Sequence, residues 1–217
     1  MTATAAQPLL VASFGLLGLL TSPLAELLIA RFLPSLGGLP SRAIRITTAV
    51  ATAVLFALLT LRFGFSPTLA AYLLLAVMAG QLSRVDVAHH LLPNPLVLSL
   101  LAAGFGLLTM SAVLTLDWSG LLRAIASAVI LFLAYLILGL ISPGGLGMGD
   151  VKLSAPLGMY LGYLGWSQLF YGGLLGFVVG GVMTVLLLLL KRGIKPAEVA
   201  HGPAMFAAAI GVVLLIG

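Results

Sequence analysis

Long apolar runs recur along this sequence, and many are close to the length that crosses a lipid bilayer. A helix of about 20 apolar residues spans the hydrocarbon core of a membrane. Only 7% of the 217 residues are charged and 62% are hydrophobic, which is too few charges to cover the surface of a water-soluble domain. The sequence therefore predicts an all-α polytopic membrane protein, folded as a helical bundle.

Eight transmembrane helices account for the apolar runs. Their predicted bounds are about 9–30, 44–61, 68–82, 96–114, 121–141, 151–165, 169–190 and 203–216. The sixth contains Pro156, which is expected to bend or break it. The first residues, MTATAAQPLL, lack a basic segment before the apolar run, so we expect no cleavable signal peptide. A single integral membrane domain over residues 1–217 is the simplest organisation.

The basic residues predict the orientation of these helices. Lysine and arginine are enriched in cytoplasmic loops, so the net charge of +5 carries no indication of nucleic-acid binding. Eight of the ten lie after the odd-numbered helices, at Arg31, Arg42, Arg45, Arg84, Lys152, Lys191, Arg192 and Lys195. The other loops hold only Arg62 and Arg123. We therefore expect the odd-numbered loops in the cytoplasm and the N-terminus outside.

Three of the five acidic residues are expected to be solvated or interfacial charges. Glu26 lies near the end of the first helix, where Arg31 can pair with it. Asp117 lies in an outer loop, and Glu198 shares a basic loop with Lys195. A carboxylate inside the membrane costs roughly 2.5–3.5 kcal/mol on insertion scales, so the remaining two acids need a specific role.

Asp86 and Asp150 both lie at predicted cytoplasmic ends of helices, in QLSRVDVAHHLLPNP and GLGMGDVKL. Asp150 could cap the sixth helix, because aspartate is a favoured N-cap. Asp86 could be a surface charge paired with Arg84, although a carboxylate at a helix C-terminus faces the negative end of the dipole. Their separation along the chain does not establish that they meet, so structural and chemical interpretations both remain open.

The chemical interpretation is a pair of carboxylates that share one proton. In such a pair, the ionised group draws a proton from water while the protonated group donates to the scissile carbonyl. The chain contains no cysteine, which excludes thiol nucleophiles, disulfides and cysteine-ligated zinc. Gly147 and Gly149, which lack a Cβ, would let the backbone approach a substrate strand closely.

Two local patterns predict how helices begin and pack. Asn94 is expected to be the N-cap of the fourth helix, with Pro95 at its first position. Gly172, Gly176 and Gly180 recur at four-residue spacing, which lets helix backbones approach closely. We expect these glycines to pack within the monomer, although a homodimer seam remains possible.

At these motifs the sequence resembles the type IV prepilin peptidase family, GxGD-type aspartic proteases of bacterial membranes. Asp86, followed by Leu92-Pro93-Asn94, is similar to the first aspartate and its [IL]P[ND] turn. Residues 147–152, GMGDVK, match the second signature, GxGDxK. His201-Gly202-Pro203 resembles the FGP element that opens the last helix, with His in place of Phe. The resemblance extends from about residue 68 onward.

The resemblance implies that Asp86 and Asp150 form a catalytic dyad, with Gly147, Gly149, Pro93, Asn94 and Lys152 close to the substrate. It implies that a short basic leader peptide is removed at the cytoplasmic face of the bacterial inner membrane. The substrates would be prepilins or pseudopilins, and no cofactor or metal would be required. Lys152 would hold Asp150 ionised, contact the substrate backbone, or serve as a positive-inside anchor.

One departure from the family concerns the loop after the first helix. Longer members carry a cytoplasmic insert there, often with zinc-binding CxxC pairs, and also methylate the new N-terminus. Here the loop is the short stretch RFLPSLGGLPSRAIR. We therefore expect peptidase activity alone. His89 and His90 could tune Asp86, but we expect them, like His201, to be interfacial polar residues.

Three other functions remain open. A proton- or cation-coupled transporter could also use acids near broken helices, but would favour an inverted repeat that the two halves do not show convincingly. A presenilin-like GxGD protease would place Tyr before its first aspartate, whereas Val85 precedes Asp86. A silent assembly scaffold would tolerate Asn at both aspartates.

Overall fold

The chain folds into helices alone over the residues that the structure describes. The structure is a computed structural model that describes residues 3–141, 146–190 and 200–216. Over those ranges it contains no strand, eight α-helices and one short 3₁₀ helix, Pro34–Leu36. The α-helices are α1 Ala3–Phe32, α2 Arg42–Phe63, α3 Leu69–His89, α4 Asn94–Thr115, α5 Trp118–Ile141, α6 Met148–Leu164, α7 Trp166–Leu190 and α8 Gly202–Leu215.

Six of these helices contain a segment long and apolar enough to cross a membrane. The remaining two are shorter, with 17 residues in α6 and 14 in α8. The prediction of a polytopic all-α membrane bundle is therefore confirmed. The chain divides into two compact units, residues 1–81 and 82–217, with the boundary inside α3. The prediction of one integral domain stays a prediction.

In the first unit, α1 and α2 approach closely because a glycine removes the side chain between them. A Cβ on Gly18 would lie only 2.8 Å from the Cα of Ala53. The ring of Phe63, at the end of α2, stacks on Tyr72 of α3 with 4.6 Å between centroids. Backbone proximity and ring stacking therefore join the three helices.

Glu26 has a different partner from the one the sequence suggested. Its side chain is fully buried and accepts hydrogen bonds from Arg45 Nε at 3.2 Å and Thr48 Oγ1 at 2.7 Å. The prediction of a pair with Arg31 is wrong. Five residues along an α-helix turn the side chain about 140° away, so Arg31 leaves α1 from another face. Arg45 reaches Glu26 across the α1–α2 pair instead.

In the second unit, α6 is the central helix. Most of its side chains are buried, and it packs against α4, α5, α7 and α8. Gly158 and Gly162 lie against Ser127 of α5, and Gly104 of α4 lies against the Tyr160 ring. Side chains at these three glycines would collide with neighbouring atoms, so glycine at these positions lets α4 and α5 pack closely against α6.

Pro156, which was expected to bend or break α6, does not break it. The helix continues from Met148 to Leu164, and Pro156 is buried within it. Proline removes a single backbone hydrogen bond, to the carbonyl four residues earlier. Helices surrounded by protein tolerate that loss because neighbouring elements hold them in place.

Arg123, one of two basic residues in the predicted outer loops, has a structural role. Its Nε donates to the carbonyl of Gly162 at 2.6 Å and its Nη2 to the carbonyl of Tyr163 at 2.7 Å. These carbonyls belong to the last turn of α6, where a cation also complements the helix dipole. Arg123 therefore caps the C-terminal end of α6, a role that is independent of which side of the membrane it lies on.

Asp117 also has a role that the sequence interpretation missed. Its Oδ1 accepts hydrogen bonds from the backbone N–H of Gly120 and the hydroxyl of Ser119, both at 2.9 Å. Since α5 begins at Trp118, this geometry makes Asp117 the N-cap of that helix.

The glycines of α7 pack within the chain, as predicted. Their neighbours are helices α5, α6 and α8 of the same unit. Gly172 lies against Leu161, and Gly180 lies against His201. A Cβ added to Gly176 would lie 3.2 Å from the Tyr135 hydroxyl. The four-residue spacing therefore has a use inside the monomer.

Candidate active site

Asp86 lies in the last turn of α3, which extends to His89 rather than ending near residue 82. His90 follows in the left-handed region, with φ 51°, and its N–H donates to the Asp86 carbonyl at 2.8 Å. The Asp86 side chain is buried, since the residue is only 5% exposed. Its Oδ2 accepts a hydrogen bond of 2.9 Å from the backbone N–H of Gly202. The interpretation of Asp86 as a surface charge is therefore wrong.

Asp150 is the third residue of α6 and is only 7% exposed. The N-cap of that helix is Gly147, so the interpretation of Asp150 as the N-cap is wrong. The backbone N–H of Gly147 instead donates to the Asp150 carboxylate, which closes the first turn from its third position. A carboxylate accepts several hydrogen bonds, so this bond leaves acceptor capacity for other groups.

Asp86 and Asp150 come together although 63 residues separate them in the sequence. The two carboxylates lie within electrostatic range of one another, and both lie within range of the His201 imidazole. His90 also lies within electrostatic range of Asp86, and Tyr135 of α5 lies within range of Asp150. Two buried carboxylates that interact in this way disfavour simultaneous ionisation.

Leu92 packs between the starts of α6 and α8. A Cβ on Gly149 would lie 3.0 Å from the Leu92 Cβ, and one on Gly202 would lie 3.5 Å from its Cδ2. Both glycines therefore make room for this side chain. The LPN turn, which follows Asp86, thereby contacts the segment that carries Asp150 and the residue that hydrogen-bonds Asp86.

Lys152 and Asn94 join the same two segments at the surface. Lys152 Nζ donates to Asn94 Oδ1 at 3.0 Å, and both residues are exposed. The prediction that Asn94 caps α4 is wrong, because α4 begins at Asn94 and its N-cap is Pro93, without a side-chain hydrogen bond. The Asn94 amide oxygen is instead used by Lys152.

Two features of the site were missed in the sequence. The backbone N–H of Gly202 binds Asp86, and His201 lies within electrostatic range of both carboxylates. The HGP motif was the available signal, but a backbone donor leaves no mark in side-chain chemistry. His89 and His90 are exposed, as expected of interfacial residues. Among residues 3–141, 146–190 and 200–216, no cluster of three candidate ligands could hold a metal ion.

Parts of two predicted loops lie outside the described residues. They are residues 142–145, which begin the glycine-rich stretch, and residues 191–199, which include Lys191, Arg192, Lys195 and Glu198. The interpretation of Glu198 as a solvated charge in a basic loop and the charge count that predicts orientation therefore stay predictions.

Comparison with known proteins identifies related sequences. A profile of the type IV leader peptidase family matches residues 68–185, a range that contains Asp86 and Asp150 and ends before His201. The prepilin leader peptidase/N-methyltransferase of Stutzerimonas stutzeri is 33% identical over 144 residues, 65% of this chain and 48% of the relative. The protein of that name from Pseudomonas aeruginosa is 32% identical over 155 residues, 71% of this chain and 52% of the relative. The one from Aeromonas hydrophila is 34% identical over 137 residues, 63% of this chain and 46% of the relative.

The chain thus spans about half the length of the curated relatives it matches. No solved structure gives a significant match to it.

Proposed function

The chain belongs to the type IV leader peptidase family, and from that premise we propose that it is an aspartic endopeptidase. It removes the short leader peptide from type IV prepilin-like or pseudopilin precursors, with Asp86 and Asp150 as its catalytic dyad. Relatives named prepilin leader peptidases support the substrate class.

One observation carries the proposal: the two motif segments converge on one buried site. Asp86 and Asp150, remote along the chain, lie within electrostatic range of one another. Leu92 lies against both Gly149 and Gly202, so the turn after the first aspartate packs on the segments around the second. A surface charge or an isolated helix cap would not require this convergence.

The reaction needs only the two carboxyl groups and water. The ionised carboxylate removes a proton from a water molecule as the water oxygen attacks the scissile carbonyl carbon. The protonated partner donates its proton to the carbonyl oxygen, which gives a neutral tetrahedral intermediate. The carboxyl group that is now protonated then gives its proton to the amide nitrogen, while the ionised one takes a proton from a hydroxyl of the intermediate. The C–N bond breaks, the carbonyl re-forms as a carboxylic acid, and one carboxyl group of the dyad is again protonated.

The surroundings of the dyad suit that division of work. The N–H of Gly202 holds Asp86 Oδ2 in place, which leaves the other oxygen of the carboxylate for water or its partner. Gly147 is exposed and brings a backbone without a side chain next to Asp150, so an extended substrate segment can approach it. Lys152 is exposed beside the site and holds the LPN turn through Asn94.

We propose that the dyad faces the cytoplasm, in the inner membrane of a bacterium. Asp86 lies at the C-terminal end of α3 and Asp150 at the N-terminal end of α6, so an even number of complete crossings separates them. The excess of lysine and arginine in the odd-numbered loops supports the cytoplasmic side and an external N-terminus. The leader peptide would thus be cut before its positive charges need to cross the membrane.

We further propose that this chain does not methylate its product. The relatives are named as N-methyltransferases as well as peptidases, but the α1–α2 loop here is short and the chain has no cysteine. The mass of the processed N-terminus tests this point, because methylation would add about 14 Da to the amine.

Leader removal in cells that co-express a prepilin-like substrate tests the peptidase. Asp86→Asn and Asp150→Asn should each abolish processing, since asparagine keeps the size of the side chain but cannot exchange the proton. Asp117→Asn is the matched control, because asparagine is as good an N-cap as aspartate and α5 would keep its start. Normal processing by both dyad variants, at equal protein levels in the membrane, would refute the proposal.

A further inference from the structure

His201 is the third ionisable side chain at the dyad. It is the residue before Gly202, whose N–H binds Asp86 at 2.9 Å, so the backbone of α8 fixes its position relative to that carboxylate. Its imidazole lies within electrostatic range of both Asp86 and Asp150. A proton gained or lost by this ring therefore changes the field at both carboxylates.

The packing of α7 holds the ring in this place. A Cβ on Gly180 would lie 2.8 Å from His201 Cδ2 and 3.6 Å from Nε2, so the absent side chain makes room for the imidazole. The carbonyl of His201 accepts the N–H of Met205 at 3.1 Å in the first turn of α8. The ring thus packs against α7, and the residue is only partly exposed.

The other ionisable groups around the carboxylates differ from His201. His90, which follows α3, lies within electrostatic range of Asp86, and Tyr135 of α5 lies within range of Asp150. Lys152, one turn after the start of α6, is exposed and bound to Asn94. Histidine is the side chain that gains and loses its proton between about pH 5 and 8, and of the two histidines here only His201 interacts electrostatically with both aspartates.

We propose that His201 is an electrostatic positioning residue for the peptidase reaction: its protonated imidazole stabilises the singly ionised Asp86–Asp150 pair and extends activity to lower pH. This inference rests on the proposed peptidase function. The reaction requires one ionised and one protonated carboxyl group, and acid abolishes it by protonating both. A cation beside the pair opposes that second protonation, so the acidic limb of the pH–rate profile lies lower than it would without the cation.

The acidic limb gives this proposal a distinctive signature. Removal of the cation at His201 should move the acidic limb to higher pH, because a neighbouring positive charge opposes protonation of a carboxylate. A loss of packing alone would lower the rate at every pH by a similar factor, without moving either limb.

The experiment measures the rate of leader removal between about pH 4.5 and 9 with the purified full chain in detergent and a prepilin-like precursor. His201→Phe and His201→Gln both remove the charge, but only Gln keeps a polar side chain. His201→Lys keeps a cation throughout that range. His89→Gln is the matched control, because His89 lies at the exposed end of α3. Four variants and the wild type give five profiles.

We expect the acidic limb of the Phe and Gln variants to move up by about one pH unit, the low end of the effect of a neighbouring opposite charge on a carboxyl group. On that limb the rate falls about tenfold at fixed pH. The Lys and His89→Gln variants should keep the acidic limb of the wild type.

An unshifted acidic limb in His201→Gln would overturn the proposal, whether or not His201→Phe folds. So would a Lys variant whose limb moves as far as that of Gln. If the wild type removes no leader at any pH, the peptidase function itself fails. If the wild type is active and all limbs coincide, only the role of His201 fails.

Discussion

Replacing Gly202 with alanine would disturb the dyad without disturbing the fold. The added Cβ would lie 2.7 Å from Asp86 Oδ2 and 3.5 Å from Leu92 Cδ2. Gly202 is the first residue of α8 and does not occupy the left-handed region, so alanine suits its backbone. The one atom that must move is the carboxylate oxygen, which belongs to the residue we propose as catalytic.

The size of the effect follows from these distances. Ordinary contact begins near 3.4 Å, so the carboxylate must retreat by roughly 0.7 Å from the new methyl group. That movement lengthens the 2.9 Å hydrogen bond from the Gly202 N–H. A hydrogen bond to a charged group contributes about 1.5–3 kcal/mol, and a misplacement near 1 Å in an active site costs up to about 100-fold. We therefore expect leader removal to slow by about 10-fold to 100-fold.

The assay compares cleavage rate with stability in the same detergent preparation. The free energy of unfolding should change by less than about 1 kcal/mol, because alanine has the higher helix propensity. Gly211→Ala is the matched control: it lies in the same helix, and nothing lies within 4 Å of the added Cβ. A Gly202→Ala variant that cleaves within twofold of the wild type would refute the role given to this contact, as would a rate loss matched by Gly211→Ala.

Two further predictions concern pairs that join segments. Arg45→Met should lower the free energy of unfolding by about 3 kcal/mol, because it leaves the buried Glu26 carboxylate without its cation. Adding Glu26→Gln to Arg45→Met should recover much of the lost stability, whereas Arg31→Met alone should have little effect. Chemical denaturation in detergent measures the free energy of unfolding of each variant. Equal losses for the two arginine variants would contradict the pairing of Arg45 with Glu26. Lys152→Met should slow leader removal by about threefold to tenfold, since the hydrogen bond to Asn94 is exposed and of ordinary strength. Lys152→Arg should retain the rate, and an unchanged rate in Lys152→Met would show that the contact is dispensable.

Hydropathy locates the eight helices of the described residues, because each has an apolar surface to bury or to expose to lipid whatever its neighbours are. It places their ends less well. The third helix was expected to end near residue 82, but α3 continues to His89 through the polar segment SRVDVAH. Hydropathy falls there while the helix persists, since Asp86 finds a partner in Gly202, far away in the sequence.

The partners of individual side chains could not be read from sequence neighbours. Arg31 was the nearer candidate for Glu26 along the chain, yet Arg45 binds it because two helices pack side by side. Asn94 is a residue type that is favoured at N-caps, yet its amide oxygen accepts a hydrogen bond from Lys152. In both cases a contact between elements replaces the local interaction that residue type alone predicts.

The motifs identified the aspartates but not what surrounds them. GxGD and D…LPN are visible because they contain distinctive side chains in order. The hydrogen bond from Gly202 comes from a backbone group that every residue except proline possesses. The position of His201 depends on the absence of a side chain at Gly180. Such features follow from packing, so only the folded chain reveals them.

The most direct test of the dyad is the rate of leader removal by purified Asp86→Asn, Asp150→Asn and the double variant. Two groups that act as one catalytic unit lose nearly everything when either is changed, so their effects are strongly non-additive. We predict that the three variants share one low residual rate. Losses that multiply in the double variant, or a single variant that cleaves at the wild-type rate, would contradict the claim that Asp86 and Asp150 work together.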